Sequence, residues 1–120
     1  VKALAHITGG GIMENLPRVL DADLAARLRA GGAGGGGSGV WELPEIFRWL
    51  RDAGGLSQEE LLRTLNCGVG MAVIVAPEKA DEARKLLKEA GEECVLELGV
   101  IEKRGEGADA PQVIVEGQLK

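Results

Sequence analysis

The segment from residue 5 to residue 18 carries the densest set of groups that could take part in chemistry. Three consecutive glycines, Gly9 to Gly11, follow Thr8 and separate an apolar stretch from a helical pattern. Glycines in such a turn allow backbone N–H groups to point into one space, which suits a phosphate or another anion. A purely structural turn accounts for the same residues, because glycine adopts positive φ angles without steric cost.

Four side chains beside this glycine turn can contribute to a site. His6 can exchange a proton near neutral pH, although a histidine at a strand end can equally be a hydrogen-bonded structural residue. Thr8 can donate its hydroxyl or cap the following helix. Asn15 and Arg18 are three residues apart, so both can flank one ligand, while Arg18 can also pair with Glu14 on a solvated face.

A second polar segment, residues 66–68, joins a helix end to a buried strand. Asn66 tolerates the left-handed conformation and fits a helix cap. Cys67 comes just after a helix C-terminus, where the helix dipole disfavours a thiolate, so we do not expect a catalytic cysteine. Cys67 and Cys94 lie far apart and the chain has one histidine, so no metal site is expected and both thiols are interpreted as small buried hydrophobes.

Length and composition exclude several classes of protein. The 120 residues, 45% of them hydrophobic, describe one domain with a substantial core. A net charge of −5 and the absence of tyrosine argue against a nucleic-acid partner, since such proteins need a basic surface and aromatic stacking platforms. No run approaches the roughly 20 apolar residues of a membrane helix. Because the chain opens on Val1 with a strand already under way, we expect it to be part of a longer protein.

The elements that must position these residues alternate between strands and helices. Residues 1–7 predict a strand, and residues 12–20 predict a helix that Pro17 kinks or divides. Strong helix formers at 23–29 favour a further helix. The glycine-rich segment 31–39 predicts a flexible linker, either engineered or a natural low-complexity insertion.

The second half of the chain carries clearer signals. Pro44 suits the first turn of a helix with a packed face, which Gly54 and Gly55 are expected to end, and Ser57 with Glu60 forms a capping box for the next helix. The packed face of the first of these helices is expected to comprise Ile46, Phe47, Trp49 and Leu50. Residues 69–75 predict a buried strand, 77–90 an amphipathic helix, and 94–103 and 112–116 two final strands. This order predicts an α+β sandwich with a mixed or antiparallel sheet covered by helices, in a ferredoxin-like or related topology.

Three blocks of this sequence, taken together, resemble a known family. They are residues 5–20 (AHITGGGIMENLPRVL), 41–50 (WELPEIFRWL) and 63–71 (RTLNCGVGM). In this order they are similar to the C-terminal domain of phosphoribosylformylglycinamidine cyclo-ligase, also called AIR synthetase. Residues 1–120 are accordingly interpreted as that domain, a fragment of a longer enzyme, with the glycine stretch standing where the family has a short ordered connection.

The resemblance implies an activity and its partners. The family uses ATP to close the imidazole ring of formylglycinamidine ribonucleotide, giving aminoimidazole ribonucleotide in de novo purine synthesis. An N-terminal domain carries most of the ATP and magnesium contacts and forms the homodimer, so the isolated 120 residues are expected to be inactive. The parent enzyme is expected in the cytoplasm, with an organelle such as a plastid left open, and without nucleic-acid or membrane partners.

The resemblance also assigns roles to residues. His6 matches an active-site histidine, and residues 66–68 match a cleft-lining motif. The expected contacts of the substrate's ribose phosphate are Thr8, Gly9, Gly10, Gly11, Asn15 and Arg18. The cleft-lining set is Asn66, Cys67 and Gly68. Two other interpretations stay open, namely an inactive fragment of the family that serves as a binding or structural module, and a related ATP-dependent ligase or kinase that shares the fold.

Overall fold

The computed structural model describes residues 1–31, 39–107 and 109–120, and within them it has five strands, four α-helices and two short 3-10 turns. The strands are β1 (Ala3–His6), β2 (Leu24–Arg29), β3 (Met71–Ile74), β4 (Gly99–Lys103) and β5 (Val113–Glu116). The helices are α1 (Gly11–Asn15), α2 (Glu45–Gly54), α3 (Gln58–Thr64) and α4 (Ala80–Glu89). The 3-10 turns are Leu16–Val19, directly after α1, and Pro77–Lys79, directly before α4.

The strands form two sheets. β1 and β3 pair antiparallel, with Ala5 opposite Ala72 on the buried side and His6 opposite Met71 on the outer side. In the second sheet β2 is central, antiparallel to β4 and parallel to β5. The α+β class with mixed and antiparallel pairing is confirmed, and its strands divide between two sheets.

The prediction of a helix at residues 23–29 is wrong, because this segment forms β2. Ala26 and Leu28 are buried on the inner face of the central strand, while Arg27 lies on the outer face. The Arg27 guanidinium forms ion pairs with Glu102 at 2.8 Å and Glu116 at 2.6 Å, so it bridges both neighbouring strands. Pairing on two sides outweighs the modest helix preference of alanine, leucine and arginine.

Several local signals are confirmed. The helical stretch around Pro17 is divided as predicted, since α1 ends at Asn15 and Pro17 lies at the start of the 3-10 turn that follows. Gly55 ends α2 in the left-handed conformation at φ 61°. Ser57 and Glu60 form both hydrogen bonds of the predicted capping box at the start of α3. The amphipathic helix expected at 77–90 is a 3-10 turn that continues into α4.

The packed face expected on α2 is partly wrong. Ile46 and Trp49 are exposed by 55% and 62%, whereas Phe47 contacts the core from a half-buried position. The large buried aromatic residue is Trp41, just before this helix, whose indole N–H donates to the Cys67 carbonyl oxygen at 3.1 Å. The extended segment that precedes α2 therefore packs into the core, and the outer face of the helix does not.

The C-terminal tail is bound to α3 and contributes Leu119 to the buried core. The side chain of Gln58 makes two hydrogen bonds to the tail: it accepts from the Leu119 N–H and donates to the Gly117 carbonyl oxygen. Most of the predicted linker, residues 32–38, lies outside the described residues. None of the helices in the described part of the chain is both long and apolar enough to cross a bilayer.

Candidate functional site

The glycine turn leads from β1 into α1, as predicted. Gly10 has φ 93° and Gly11 has φ 63°, both in the left-handed region that favours glycine. Gly10 is the N-cap of α1 and the helix start has no side-chain cap, so the interpretation of Thr8 as a helix cap is wrong. The Thr8 hydroxyl instead donates to the Oδ1 of Asn15 at 3.3 Å.

Gly11 serves the packing of the loop. A Cβ at this position would overlap the carbonyl oxygen of Leu62 and press on that of Leu65, both near the end of α3. The Gly11 N–H donates to the Thr8 carbonyl oxygen at 3.0 Å. Gly11 is buried and forms the contact between the loop and α3. The two glycines before it lie on the solvent side of the loop.

Gly9 and Gly10 form that solvent side. A Cβ at Gly9 would meet no atom within 4 Å, and Gly9 is exposed. Among the residues that the structure describes, neither the Gly9 N–H nor the Gly10 N–H donates to a backbone carbonyl oxygen. Neither N–H group is therefore used in a backbone hydrogen bond within that part of the chain.

Asn15 lies behind the loop and is 4% exposed. Its Nδ2 donates to the carbonyl oxygens of Gly11 at 2.7 Å, Gly9 at 3.1 Å and Thr8 at 3.3 Å. The carboxamide is thus fully occupied by hydrogen bonds to the loop. The structure places Asn15 inside the protein, where it supports the loop and does not face the solvent side expected of a phosphate contact.

His6 lies at the end of β1, on the outer face of the two-stranded sheet opposite Met71. The residue is exposed, and its ring has no hydrogen bond to any side chain or backbone group in residues 1–31, 39–107 and 109–120. The structural alternative, a hydrogen-bonded histidine at a strand end, is therefore not formed within that part of the chain.

Glu14 and Arg18 are both exposed and do not form the ion pair considered as an alternative for Arg18. The Glu14 side chain folds back over Gly10, where an added Cβ would overlap its Oε2 atom. A carboxylate therefore lies at the solvent side of the loop. The spacing from residue 10 to residue 14, one helical turn, is the sequence signal that predicts this contact.

The second motif is a tight turn between α3 and β3. The Asn66 Oδ1 accepts from the Gly68 N–H at 2.9 Å. The interpretation of Asn66 as a left-handed helix cap is wrong, because Leu65 is the C-cap of α3 and the left-handed residue is Cys67, with a φ of 52°. Cys67 is 1% exposed and its thiol donates to the carbonyl oxygens of Leu61 and Leu65 at 3.6 and 3.7 Å. The Cys67 side chain thus belongs to the core and lines no cleft, while Asn66 is half-buried and Gly68 is exposed.

Burial raises the pKa of the Cys67 thiol to about 11. A thiol with this pKa is protonated at neutral pH, so it is a poor nucleophile. Cys94 is exposed, contrary to the expectation that both thiols are buried.

The two motifs are neighbours in the structure. Gly11 of the loop rests on the carbonyl oxygens of Leu62 and Leu65, and the Leu65 carbonyl also accepts the Cys67 thiol. The loop and the turn after α3 therefore form one continuous unit, although 50 or so residues separate them in sequence.

A depression of the surface lies away from the glycine loop. It has a volume of about 200 Å³ and is lined by Met13, Gln58, Glu59, Leu62 and Val115, and it contains none of the predicted site residues. Within the described ranges there is also no group of three or more His, Cys, Asp or Glu side chains that could hold a metal ion. The candidate site is accordingly an open loop on the surface.

Comparison with known proteins identifies the family. Residues 1–109 match the family model described as "AIR synthase related protein, C-terminal domain". The chain is 51% identical over 108 residues to the phosphoribosylformylglycinamidine cyclo-ligase of Aromatoleum aromaticum, which covers 90% of the chain and 28% of that protein. The corresponding protein of Chromobacterium violaceum is 45% identical over 113 residues, which covers 94% of the chain and 30% of that protein.

A third relative agrees with these two. The phosphoribosylformylglycinamidine cyclo-ligase of Methylobacillus flagellatus is 45% identical over 115 residues, which covers 96% of the chain and 30% of that protein. The chain thus spans less than a third of the length of the curated relatives it matches. It belongs to the family of AIR synthase related proteins and corresponds to their C-terminal domain.

Proposed function

We propose that this chain is the substrate-phosphate-binding domain of a phosphoribosylformylglycinamidine cyclo-ligase, an enzyme of purine biosynthesis. The names of its relatives and its family support this assignment. The enzyme closes the ring of formylglycinamidine ribonucleotide in an ATP-dependent reaction that yields aminoimidazole ribonucleotide. The chain spans under a third of these relatives, so we infer that catalysis needs the remaining part of the protein and that the isolated chain is inactive.

One observation carries the proposal: the Gly9 and Gly10 N–H groups donate to no backbone carbonyl oxygen among the described residues, in a loop whose carbonyl oxygens accept from the buried Asn15. Backbone N–H groups that face one space bind an anion without any charged side chain. In this proposal they hold the ribose phosphate, with Thr8 beside them and the guanidinium of Arg18 adding positive charge. Holding the phosphate fixes the rest of the substrate, and such positioning can lower a barrier by several kcal/mol.

His6 is proposed to act at the edge of this loop. Its ring is exposed and has no hydrogen bond to the described residues, and only Ile7 separates it from Thr8 in sequence. An imidazole ring accepts a proton in its neutral form and donates one in its protonated form. We assign His6 to proton movement at the reacting amide, or to the orientation of that amide.

The outer face of the β1–β3 sheet carries exposed apolar side chains that support a contact with another domain. Leu4 pairs with Val73 across this face and His6 pairs with Met71, and the apolar side chains of Leu4, Val73 and Met71 are exposed by 55%, 36% and 51%. Apolar side chains grouped around a proposed catalytic residue are typical of a covered surface. We propose that an N-terminal domain of the same protein covers this face and completes the site.

The remaining assignments concern the whole protein. On the family resemblance, we assign Mg²⁺ and most of the ATP contacts to the N-terminal domain. The parent protein is proposed to be a cytoplasmic homodimer, joined through that domain. No step of the reaction is assigned to a metal ion held by this chain.

A two-dimensional amide NMR titration tests the phosphate assignment. The chain is titrated with aminoimidazole ribonucleotide, and the unphosphorylated riboside serves as the ligand control. Saturable shifts of the Gly9, Gly10 and His6 resonances are expected with the nucleotide and not with the riboside. Equal responses to both compounds would contradict a phosphate site on this loop.

A pair of variants separates close approach from general effects. Gly9→Ala adds a methyl group in open space on the ligand side, whereas Gly105→Ala adds one in the β4–β5 connection with only an ordinary contact to Ala110. Gly9→Ala is expected to weaken nucleotide binding and Gly105→Ala to leave it unchanged. If the nucleotide moves no resonance in the wild-type chain, the alternative of a non-enzymatic binding or structural module is favoured.

A further inference from the structure

The side chain of Asn15 determines which way the peptide groups of the glycine loop face. Its Nδ2 donates to the carbonyl oxygens of Thr8, Gly9 and Gly11, which all point toward the interior. Its Oδ1 accepts the Thr8 hydroxyl, so the carboxamide is held at both ends. With 4% exposure, Asn15 cannot exchange these partners for water without opening the loop.

Because each peptide group is planar, the directions of these carbonyl oxygens also fix the directions of the N–H groups in the same peptide units. The structure has no cis peptide bond among the described residues, and in a trans peptide the C=O and N–H of one unit point in opposite directions. The unit that turns the Thr8 carbonyl toward Asn15 therefore turns the Gly9 N–H away from it. The next unit does the same for the Gly9 carbonyl and the Gly10 N–H.

We propose that Asn15 is a positioning residue that orients the Gly9 and Gly10 N–H groups toward a phosphate-class anion, an inference that rests on the proposed function for the identity of the ligand. Asn15 itself does not touch the ligand. The loop visits left-handed angles at Gly10 and Gly11, and without the carboxamide these flexible residues would sample many orientations. Ordering them before binding removes a cost that the ligand would otherwise meet.

The requirement is specific to a carboxamide. The Nδ2 group donates to three carbonyl oxygens while the Oδ1 accepts from the Thr8 hydroxyl, so this position uses one group that supplies both a donor and an acceptor. An ionised carboxylate of the same shape accepts only, and it would face three carbonyl oxygens with a negative charge. Asn15→Asp therefore reverses the polarity of the contact while it conserves the volume.

The test compares Asn15→Asp with Ser57→Ala, which removes the capping box of α3 and lowers stability without touching the loop. In the absence of ligand, Asn15→Asp is expected to shift the Gly9 and Gly10 amide resonances and to speed their hydrogen exchange, with the β2 and β4 resonances unchanged. Its affinity for aminoimidazole ribonucleotide is expected to fall roughly ten-fold or more, the size of one lost charge-assisted contact. Ser57→Ala is expected to retain the affinity.

Thr8→Val keeps the proposal testable if Asn15→Asp does not fold. Thr8 is exposed, and this change removes only the hydroxyl that anchors the Asn15 Oδ1. Faster hydrogen exchange of the Asn15 side-chain amide and of the Gly9 and Gly10 N–H groups is expected. Unchanged exchange in Thr8→Val, and in Asn15→Asp where that variant folds, would overturn the positioning role.

The two proposals fail in different ways. If the wild-type chain does not distinguish the nucleotide from its riboside, the phosphate assignment fails, and changes of the ligand-free Gly9 and Gly10 resonances in Asn15→Asp still report the positioning role. If a folded Asn15→Asp variant keeps the wild-type loop resonances and nucleotide affinity, the positioning role of Asn15 is wrong even where the phosphate assignment holds.

Discussion

The α-carbon of Gly11 lies against the carbonyl oxygen of Leu62, so close that a Cβ on Gly11 would overlap it. This contact joins the glycine loop to α3, and it leaves no room for any side chain. Since Gly11 also has a φ of 63°, a substitution there meets both a steric and a conformational penalty. Gly9, two residues earlier in the loop, has neither restriction.

Gly11→Ala is therefore expected to destabilise the fold and Gly9→Ala to leave it intact. The left-handed angle costs an L-residue about 1–2 kcal/mol, and overpacking adds roughly 1–3 kcal/mol. Urea denaturation followed by circular dichroism should show a lower midpoint for Gly11→Ala. The Gly9→Ala variant should lie within about 0.5 kcal/mol of the wild type. Equal stability of the two variants would show that the loop does not rest on α3 as described.

Removal of the Glu14 carboxylate is expected to tighten the binding of an anion to the loop. The carboxylate lies over Gly10, where it repels a phosphate, and a unit charge about 4 Å away contributes about 1 kcal/mol in water. Glu14→Gln should therefore raise the affinity for aminoimidazole ribonucleotide roughly five-fold, and the gain should shrink as salt is added. Isothermal titration calorimetry at two salt concentrations measures both effects.

Glu78→Gln provides the charge-matched control for this change. Glu78 is exposed and follows β3 at the end opposite to Met71, the residue that pairs with His6. It changes the net charge equally but lies away from the loop. A similar gain in both variants would reflect net charge alone, and a loss of affinity in Glu14→Gln would mean that the carboxylate contacts a donor group of the ligand.

Local signals in this sequence predicted the elements whose ends are fixed by one or two residues. Pro17, Gly55 and the Ser57 capping box each act over a single turn of chain, so their effect is readable from sequence. The β2 strand was not predictable in this way. Its alanine, leucine and arginine residues prefer helices weakly, and the two strands that flank it come more than 70 residues later.

The candidate site could likewise be predicted from the sequence only where a feature depends on neighbouring residues. The position of the glycine turn after β1 followed from the residue types, because three glycines before a helical pattern interrupt both the strand and the helix. The separate duties of Gly9 and Gly11 did not, since they depend on whether α3 packs beneath each residue. Asn15 was expected on the ligand side, and only the three-dimensional path of the loop shows that its side chain turns inward.

The outer face of the β1–β3 sheet should tolerate polar residues in this chain. Leu4→Gln and Val73→Thr alter side chains that are exposed by 55% and 36%, so each is expected to change the free energy of unfolding by less than about 0.5 kcal/mol. Ala72→Gln, on the buried side of the same sheet, should destabilise it by several-fold more, because it forces a polar side chain into the core. Thermal denaturation of the three variants checks this difference.

The same outer-face variants test the proposed domain contact. In the longer protein that contains an N-terminal domain, Leu4→Gln combined with Val73→Thr should lower both stability and ligase activity. A full-length variant that keeps wild-type activity would show that this face stays uncovered in the enzyme.

The two cysteines should differ sharply in reactivity. Cys94 is exposed, whereas Cys67 is 1% exposed and donates to the Leu61 carbonyl oxygen. A thiol reagent such as Ellman's reagent at neutral pH is expected to modify one thiol rapidly in the native chain and two after denaturation. Cys94→Ser should abolish the rapid phase. Rapid modification of that variant would place Cys67 at the surface.

The buried Cys67 thiol should also make the stability depend on pH in the alkaline range. Its pKa is raised to about 11 from an ordinary value of 9.0, because burial disfavours the thiolate. Between these two pH values the unfolded chain releases the proton while the folded chain keeps it, so stability is retained below pH 9 and falls as the pH rises. The loss attributable to this group is at most roughly 3 kcal/mol.

Urea midpoints of the wild type and Cys67→Ala, measured at about pH 8 and about pH 10.5, isolate the effect, since lysine titration is common to both proteins. The wild type should lose more stability than the variant over this interval, and parallel losses would mean that the Cys67 thiolate is solvated in the folded chain.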